Sequence, residues 1–401
     1  MGGKLMGGNL MIVQGGGPTA VFNASLASAI AEGNCQPGIK RVFGARFGVR
    51  GLVNGDTVEL GQMTVNDLEL LEKSPGAALG SSRYSPLPED FDRLVSHLRR
   101  LDVRYLIFMG GNGTMYGAGQ VAERCRAAGF EVQMIGVPKT ADNDIAGTDR
   151  CPGYASAARY IAQSTRDLGM DIRGLPQPVT ILEVIGRSIG WPAAASVLAR
   201  ADEGDAPHLV YVPERAFHAE DFLARLDGMM SRQGWAVVVV TEGLRNPDGS
   251  LVYELADPSQ ADPLKRPMTG GVGQYLANMV GAKLKIRCRT EKPGLLCRSS
   301  GALASEQDRK DAMLVGRAGV QALVAGESEK MVSLRPLRDP GERGYDLVPF
   351  SAVTGVERPL PQEWLTDGPL PVGRAFEDYL RPLVGELYEY APAFAPAALE
   401  I

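Results

Sequence analysis

The sequence predicts an α/β protein built from two doubly wound lobes with mainly parallel sheets. Its 401 residues are enough for two cores of ordinary domain size. Short apolar segments typical of buried strands alternate with longer segments that have helical periodicity along most of the chain. Several of these strands end in a glycine-rich or polar loop, and ligands bind at that edge of parallel sheets.

The composition excludes several classes of protein. The apolar fraction of 44% and the charged fraction of 22% are those of a soluble globular protein. A formal net charge of -5 gives no electrostatic support for a nucleic-acid or membrane partner. The five cysteines lack the spacing of a zinc site, and no apolar run approaches the length of a membrane span. We therefore expect a reduced, cytoplasmic protein.

Two strand–loop–helix units have loops that are rich in glycine. The predicted strand Asn9–Val13 runs into Gln14–Gly17 and then into a helix over about Val21–Glu32. The predicted strand Tyr105–Met109 runs into Gly110–Thr114 and a second helix. Such loops offer free backbone N–H groups to a phosphate. Neither loop has the GxGxxG or Walker A pattern, and either one alone could be a tight turn.

A third predicted strand, Val132–Val137, leads into a loop that carries two carboxylates. Asp142 and Asp144 lie there beside Lys139 and Thr140. Phosphoryl transfer needs a group that orients the attacking hydroxyl, together with metal and cation support for the phosphate charge. From the spacing alone, a simple turn that caps a helix competes well with this interpretation. Three such loops at one edge of a parallel sheet favour a single polyphosphate site.

The second lobe continues the alternation of strands and helices. The predicted strands are Val179–Glu183, His208–Val212, Ala236–Thr241 and Leu284–Arg289. The predicted helices cover about Pro152–Leu168, Trp191–Arg200, Ala219–Gln233, Gly271–Lys283, Ser305–Ala325 and Arg374–Glu389. Arg187 and Glu242 follow strand ends, where an arginine suits a substrate phosphate and a carboxylate suits sugar hydroxyls.

Two further segments carry basic residues that suit phosphate. Arg83 lies in a Gly/Ser-rich loop, and its planar guanidinium suits phosphate, although an ordinary surface arginine is the default. Arg287, Arg289, Lys292 and Arg298 form a basic stretch in an otherwise acidic chain, for which a solvated face is an open alternative.

Seven stretches of the sequence, in this order and spacing, resemble the 6-phosphofructokinase family, in the group that includes pyrophosphate-dependent and bacterial ATP-dependent enzymes. They are QGGGPTAVFNASL (Gln14–Leu26), LGSSR (Leu79–Arg83), GGNGTM (Gly110–Met115), VPKTADNDIAGTD (Val137–Asp149), ILEVIGRSIGW (Ile181–Trp191), TEG (Thr241–Gly243) and KPGLLCRSS (Lys292–Ser300).

The resemblance implies a division into two Rossmann-like lobes. A donor-binding lobe would comprise residues 1–153 plus about 297–340. A sugar-phosphate lobe would comprise residues 154–296 plus about 341–401. Because a neighbouring subunit completes part of the pocket in this family, a homodimer or homotetramer is also implied.

The resemblance also implies a role for each matching residue. Asp142 would be the base for the acceptor hydroxyl, Thr140 would contact the sugar or the transferring phosphate, and Lys139 would stabilise pyrophosphate. Asp144 and Asn112 would hold Mg²⁺. The remaining donor ligands would be Gly15, Gly16, Arg83, Gly111, Asn112, Gly113 and Thr114. The acceptor ligands would be Ile185, Gly186, Arg187, Glu242, Arg289 and Arg298.

The sequence departs from the family pattern on both sides of the site. Gly113 leaves room for the α-phosphate of a nucleotide, whereas Lys139 is the cation that suits pyrophosphate. We expect ATP as the donor on steric grounds, with pyrophosphate as the alternative. On the acceptor side, Pro178, Leu295 and Cys297 replace residues that are usual in the family.

The expected reaction is therefore phosphorylation of the 1-hydroxyl of fructose 6-phosphate. The acceptor-side departures leave another ketose phosphate, such as sedoheptulose 7-phosphate, or a polyol as alternative acceptors. A non-catalytic homologue that binds phosphorylated ligands is a further alternative, but it would not need the intact stretch from Thr140 to Asp144.

Overall fold

The computed structural model describes residues 7–175, 178–254, 270–339 and 341–391. Within these ranges the strands are, in chain order, β1 (Gly8–Gln14), β2 (Ile39–Ala45), β3 (Thr57–Glu59), β4 (Val103–Gly110), β5 (Gln133–Pro138), β6 (Val179–Val184), β7 (Leu209–Tyr211), β8 (Ala236–Thr241), β9 (Cys288–Glu291), β10 (Lys330–Leu334) and β11 (Tyr345–Pro349). The α-helices are α1 (Phe22–Cys35), α2 (Val49–Asn54), α3 (Val65–Lys73), α4 (Pro88–Arg100), α5 (Asn112–Ala127), α6 (Tyr154–Ile172), α7 (Trp191–Ala195), α8 (Ala219–Gln233), α9 (Val272–Leu284), α10 (Leu296–Ser299), α11 (Glu306–Val324) and α12 (Arg374–Val384).

The larger sheet has the strand order β11-β10-β5-β4-β1-β2-β3. Its inner pairs are parallel, and its two outermost strands are antiparallel to their neighbours. Alternate side chains of β1 point to opposite faces, as the two-residue period of a strand requires. Leu10 and Ile12 pack with α1 and α11, whereas Met11 and Val13 pack with α4 and α5. This sheet is therefore covered by helices on both faces.

The smaller sheet has the order β7-β8-β6-β9, and all its pairs are parallel. Leu182 and Val184 of β6 pack with α6 and α12, while Val179 and Ile181 face α8 and α9. The predicted α/β architecture with two mainly parallel sheets is thus confirmed. Among the helices that the structure describes, none has the length and apolar character needed to cross a membrane.

Three predicted elements differ from the structure at their ends. The strand predicted to begin at Leu284 begins only at Cys288, because Leu284 is the last residue of α9 and Lys285 closes that helix with a φ of 60°. The helix predicted to reach Glu389 ends at Val384, because Gly385 follows with a φ of 73°. The helix predicted to begin at Trp191 is a short α-helix that continues as a 3-10 turn.

The strand pairing places the lobe boundary later in the chain than the predicted position near residue 340. The sequence assigned residues 341–401 to the second lobe, but β11 pairs with β10 at the edge of the larger sheet. Helix α12 does pack in the second lobe, where Phe376 and Leu380 are fully buried. Strand β11 is thus the edge strand of the larger sheet, and the chain crosses from the first lobe to the second only after it.

A buried carboxylate joins helix α11 to the start of helix α6. Asp308 accepts hydrogen bonds from the backbone N–H groups of Gly153 (2.8 Å) and Ser156 (2.9 Å) and from the Ser156 hydroxyl (2.5 Å). Burial raises the pKa of Asp308 to about 6, although these hydrogen bonds oppose the rise. The contact fixes the first turn of α6, directly after the loop that carries Asp142.

We expect Asp308→Ala to lower the free energy of unfolding by about 3 kcal/mol, because two backbone donors at a helix N-terminus lose a charged acceptor. Equilibrium urea unfolding measures this change. Glu306→Ala is the matched control, since Glu306 lies on the first turn of the same helix with an exposed side chain. An equal effect of both changes would contradict the anchoring role of Asp308.

Candidate active site

The three loops predicted to share one site follow adjacent strands. Gln14 of β1 is paired with Met109 of β4, and Gly110 of β4 is paired with Pro138 of β5. Helix α1, which follows β1, leads to β2 on one edge of β1, while β4 pairs with the other edge of β1. The crevice between β1 and β4 is therefore a topological switch point, where α/β proteins bind ligands.

Side chains packed closely against the backbone shape the first glycine loop. A Cβ atom on Gly15 would lie 2.6 Å from Oγ1 of Thr114, and one on Gly17 would lie 2.1 Å from Nη1 of Arg298. Gly16 has a φ of 76°, which disfavours any side chain. The loop thus presents bare backbone beside the first turn of α5, where free N–H groups favour an anion. Both glycine loops meet here as predicted.

Lys139 is a buried cation that faces this loop. Its side chain is 4% exposed, and its Nζ donates to the carbonyl oxygen of Gly17 at 2.7 Å. The Nζ also lies 4.8 Å from the ring centroid of Phe22. Burial, helped by the nearby charge of Arg298, lowers the pKa of Lys139 to about 8. A phosphate in the loop would therefore meet a cation that is poorly solvated and strongly attractive.

The two predicted carboxylates lie on either side of a tight turn. The hydroxyl oxygen of Thr140 accepts the backbone N–H of Asp142 at 3.0 Å. Burial raises the pKa of Asp144, and the nearby Thr140 hydroxyl opposes the rise. Burial raises the pKa of Asp142 to about 7, and the charges of Asp144 and Glu242 add to this rise. Asp142 is therefore a carboxylate that can exchange a proton near neutral pH.

Two oxygen atoms of the site remain without a hydrogen bond. Oδ1 of Asp144 and Oδ1 of Asn112 are buried, and no described residue donates to either. Their residues are neighbours, because Nδ2 of Asn112 donates to the backbone carbonyl of Asp144 at 3.4 Å. Across the described residues, no group of three or more His, Cys, Asp or Glu could hold a metal. Two hard oxygen atoms suit Mg²⁺, which relies on water and substrate phosphates for its other ligands.

The remaining predicted donor ligands border the same loop. Gly111 is the N-cap of α5, and Gly113 lies in its first turn, where a Cβ atom would meet nothing within 4 Å. Arg83 is exposed on a loop that lies against the first glycine loop, because the hydroxyl of Ser81 donates to the carbonyl of Gly16 at 2.6 Å. The space beside Gly113 is therefore open.

Predicted acceptor ligands from the second lobe lie at adjoining strand ends. Ile185, Gly186 and Arg187 follow β6, and Glu242 follows β8, which is paired with β6 up to Val184 and Thr241. These loops touch, since a Cβ atom on Gly243 would lie 1.6 Å from the carbonyl oxygen of Arg187. Glu242 is near enough to influence Asp142, as its effect on the Asp142 pKa indicates.

The two predicted arginines for the acceptor phosphate lie in different places. Arg298 is half-buried against Gly17, and its charge reaches Lys139 and Asp142. Arg289 is exposed on β9 opposite Thr180, four residues before the end of β6. Within one chain, the fold thus brings Arg298 to the carboxylates but leaves Arg289 apart from them.

Several contacts that support the carboxylate turn could not be predicted from the sequence. The amide of Asn112 also donates to the backbone carbonyl of Val356 at 3.2 Å, and the backbone N–H of Arg358 donates to the carbonyl of Asp144 at 2.9 Å. Tyr379 of α12 contacts Asn143. Each contact joins the loop to a segment more than 200 residues later, which no local pattern could reveal.

A sequence profile of the phosphofructokinase family matches residues 9–323, which include both glycine loops and the carboxylate turn. The chain belongs to the phosphofructokinase family. The resemblance drawn from the motifs is therefore confirmed, together with a kinase-type phosphotransferase activity that uses ATP or pyrophosphate.

Three similar proteins match this chain over most of their length. Pyrophosphate–fructose 6-phosphate 1-phosphotransferase of Xanthomonas campestris pv. campestris is 35% identical over 387 residues, which cover 94% of this chain and 91% of the relative. Sulfofructose kinase of Alkalicoccus urumqiensis is 32% identical, covering 88% and 93%. The crystal structure of pyrophosphate-dependent phosphofructokinase from Marinobacter aquaeolei has a TM-score of 0.84 at 32% identity, covering 97% and 94%.

Proposed function

We propose that this phosphofructokinase transfers a phosphoryl group from pyrophosphate to the 1-hydroxyl of fructose 6-phosphate. The observation that carries the proposal is the buried ammonium of Lys139, which donates to the carbonyl of Gly17 inside the glycine loop. A compact, desolvated point charge there suits a small dense polyanion. Arg298 adds a second positive charge against the same loop.

In this proposal, pyrophosphate lies on the backbone N–H groups of the two glycine loops. Asp142 accepts the proton of the 1-hydroxyl as its oxygen attacks the nearer phosphorus atom. The bond to the bridging oxygen breaks, and Lys139 stabilises the charge of the departing phosphate. Thr140 holds the backbone of Asp142 through its hydroxyl oxygen. Electrostatic stabilisation of this kind dominates phosphoryl transfer.

We also propose that Asp144 and Asn112 hold Mg²⁺ through the two buried oxygen atoms that lack hydrogen bonds. A bound Mg²⁺ neutralises phosphate charge and orients the donor. The Oδ1 atom of Asp144 is buried without a hydrogen bond, and a carboxylate that has lost its water is costly unless a positive partner replaces that water.

Pyrophosphate replaces the expected ATP as the proposed donor. The open space beside Gly113 permits a nucleotide but does not attract one, whereas Lys139 supplies a direct attraction for a terminal phosphate. The names of similar curated proteins also support this choice. Several of them are called pyrophosphate-dependent, and an ATP-dependent enzyme is among the more distant relatives.

Phosphoryl transfer to fructose 6-phosphate, measured with ATP and with pyrophosphate at equal Mg²⁺, tests the proposal. We expect turnover with pyrophosphate and at least about tenfold less with ATP, which corresponds to about 1.4 kcal/mol in the transition state. The reverse reaction, with fructose 1,6-bisphosphate and orthophosphate, should also proceed. Turnover with ATP alone would overturn the choice of donor.

We expect Gly113→Asp to retain pyrophosphate turnover within about threefold and to remove any residual ATP turnover. The new Cβ would have free space, and a carboxylate in the first turn of α5 is favourable for the helix. It would crowd the α-phosphate of a nucleotide. Gly113→Asn is the control for size without charge, and both variants are compared with the wild-type chain by steady-state kinetics.

A second candidate changes the acceptor to another ketose that carries an anionic group at its far end. Sulfofructose kinase is among the relatives, and Pro178, Leu295 and Cys297 depart from the usual acceptor side. The assay therefore includes sulfofructose and sedoheptulose 7-phosphate beside fructose 6-phosphate. A higher kcat/KM for either compound would replace fructose 6-phosphate in the proposal.

We propose in addition a cytoplasmic homodimer or homotetramer. The five cysteines carry no disulfide, which suits a reducing compartment. Arg289 lies on an exposed edge strand away from the carboxylates of its own chain, as a residue that serves a neighbouring subunit would. Light scattering after gel filtration measures the assembly, and a monomer with full activity would contradict this part of the proposal.

A further inference from the structure

The turn between the two carboxylates is held from its inner side by Asn143. Its side chain has no exposed surface, and its φ of 58° lies in the left-handed region. Its Oδ1 accepts the backbone N–H of Cys151 at 3.0 Å. Asparagine tolerates this conformation better than most residues, but the conformation persists only where the surroundings support it. Asn143 thus fixes the shape of the turn that carries Asp142 and Asp144.

Tyr379 of helix α12 supports Asn143 from behind. Nδ2 of Asn143 lies 3.4 Å from the Tyr379 hydroxyl, which in turn donates to the backbone carbonyl of Asp149 at 2.8 Å. One hydroxyl therefore bridges the side chain within the turn and the backbone at the far end of the same loop. Because it accepts one hydrogen bond and donates another, both of its functions are used.

The position of this hydroxyl is fixed by aromatic packing. The Tyr379 ring lies 5.7 Å from Trp191 and 5.0 Å from Trp364, measured between ring centroids. The guanidinium of Arg358 lies 4.4 Å from the Trp191 ring, and the backbone N–H of Arg358 donates to the carbonyl of Asp144 at 2.9 Å. The C-terminal segment therefore contacts the turn through two residues, Tyr379 and Arg358, that both pack against Trp191.

We infer that Tyr379 is a positioning residue for phosphoryl transfer, acting through Asn143 on the placement of the Asp142 carboxylate. The inference rests on the proposed role of Asp142 as the base. It concerns the geometry of the turn, whichever donor and acceptor the enzyme uses. Small displacements of a base from its reacting proton reduce turnover strongly while leaving substrate binding largely intact.

Tyr379→Phe removes only the hydroxyl and keeps the packed ring. We expect kcat to fall about tenfold while KM for the acceptor stays within about twofold, because its proposed ligands Arg187, Glu242 and Arg298 lie on other elements. Tyr390→Phe is the matched control. The Tyr390 hydroxyl donates to Asp167 at 2.7 Å on the same C-terminal segment, but it does not contact the turn. We expect this control to retain kcat.

A double-mutant cycle tests whether Tyr379 acts through Asn143. Asn143→Gly suits the positive φ and removes the side chain that contacts Tyr379. We expect Tyr379→Phe to have no further effect on kcat in the Asn143→Gly background. Independent, multiplicative effects would overturn the inference, because the two residues would then act separately.

Hydrogen exchange of the backbone amides from 142 to 151 gives a readout that does not depend on activity. We expect these amides to exchange at least about tenfold faster in Tyr379→Phe than in the wild-type chain or in Tyr390→Phe. Unchanged exchange, or an unchanged kcat, would overturn the inference. If the wild-type enzyme showed no turnover with pyrophosphate, that result would contradict the proposed donor. The hydrogen-exchange measurement would then test the role of Tyr379 independently of the donor.

Discussion

Asp142→Asn is expected to reduce kcat by a factor on the order of 10² to 10⁴ while binding of the acceptor sugar phosphate is preserved. The amide has nearly the same size as the carboxylate but cannot accept the proton of the attacking hydroxyl, and a factor of this size is typical of general bases. Steady-state kinetics measures the loss of turnover. Calorimetric titration with fructose 6-phosphate measures the binding.

The pH profile gives an independent check on the base. Because burial raises the pKa of Asp142 to about 7, the carboxylate is largely protonated below that pH and can accept no proton. We therefore expect kcat/KM to rise as the pH increases through about 7, and this rise should be absent from the residual activity of Asp142→Asn. Asp102→Asn is a suitable control, since Asp102 forms exposed ion pairs and directly precedes β4, at the end of that strand opposite the candidate site. Near-normal turnover by Asp142→Asn would refute the mechanism.

Lys139→Met is expected to lower kcat/KM for pyrophosphate by about 10²-fold. Methionine keeps the unbranched shape, but the phosphate loses a buried cation, and removing one partner of such a pair costs at least about 2 to 3 kcal/mol. Kinetics with varied pyrophosphate at saturating acceptor measures the loss. The matched variant Lys139→Arg keeps the charge, and we expect it to lose less activity than Lys139→Met. Equal losses in both variants would contradict a charge-based role.

The lowered pKa of Lys139 predicts how kcat/KM changes at alkaline pH. Burial lowers the pKa of Lys139 to about 8, so the free enzyme loses this charge as the pH rises above that value. We expect kcat/KM for pyrophosphate to fall over the same range. In Lys139→Arg the fall should move to higher pH, because a guanidinium stays protonated. A fall that is the same in both enzymes would assign it to the substrate or to another group.

Much of the candidate site could be predicted from the sequence. Gly15, Gly111 and Lys139 each follow a buried strand, and the carboxyl ends of adjacent parallel strands meet at one edge. The loops of Arg187 and Glu242 likewise follow two strands that are paired with each other. The names of the relatives favour pyrophosphate over the expected ATP. The open space beside Gly113 shows that a nucleotide would fit, but it provides no attraction for one.

The family, the alternation of strands and helices, and the loops that carry the chemistry can all be predicted from the order of residues alone. These features are local, since periodicity and loop motifs depend on residues that are near neighbours in the chain. Only the folded chain shows which distant groups surround these loops. Arg298 lies against Gly17, β11 joins the larger sheet, and Tyr379 supports Asn143 from 236 residues away. Such contacts arise only when packed lobes bring remote segments together, so no local pattern encodes them.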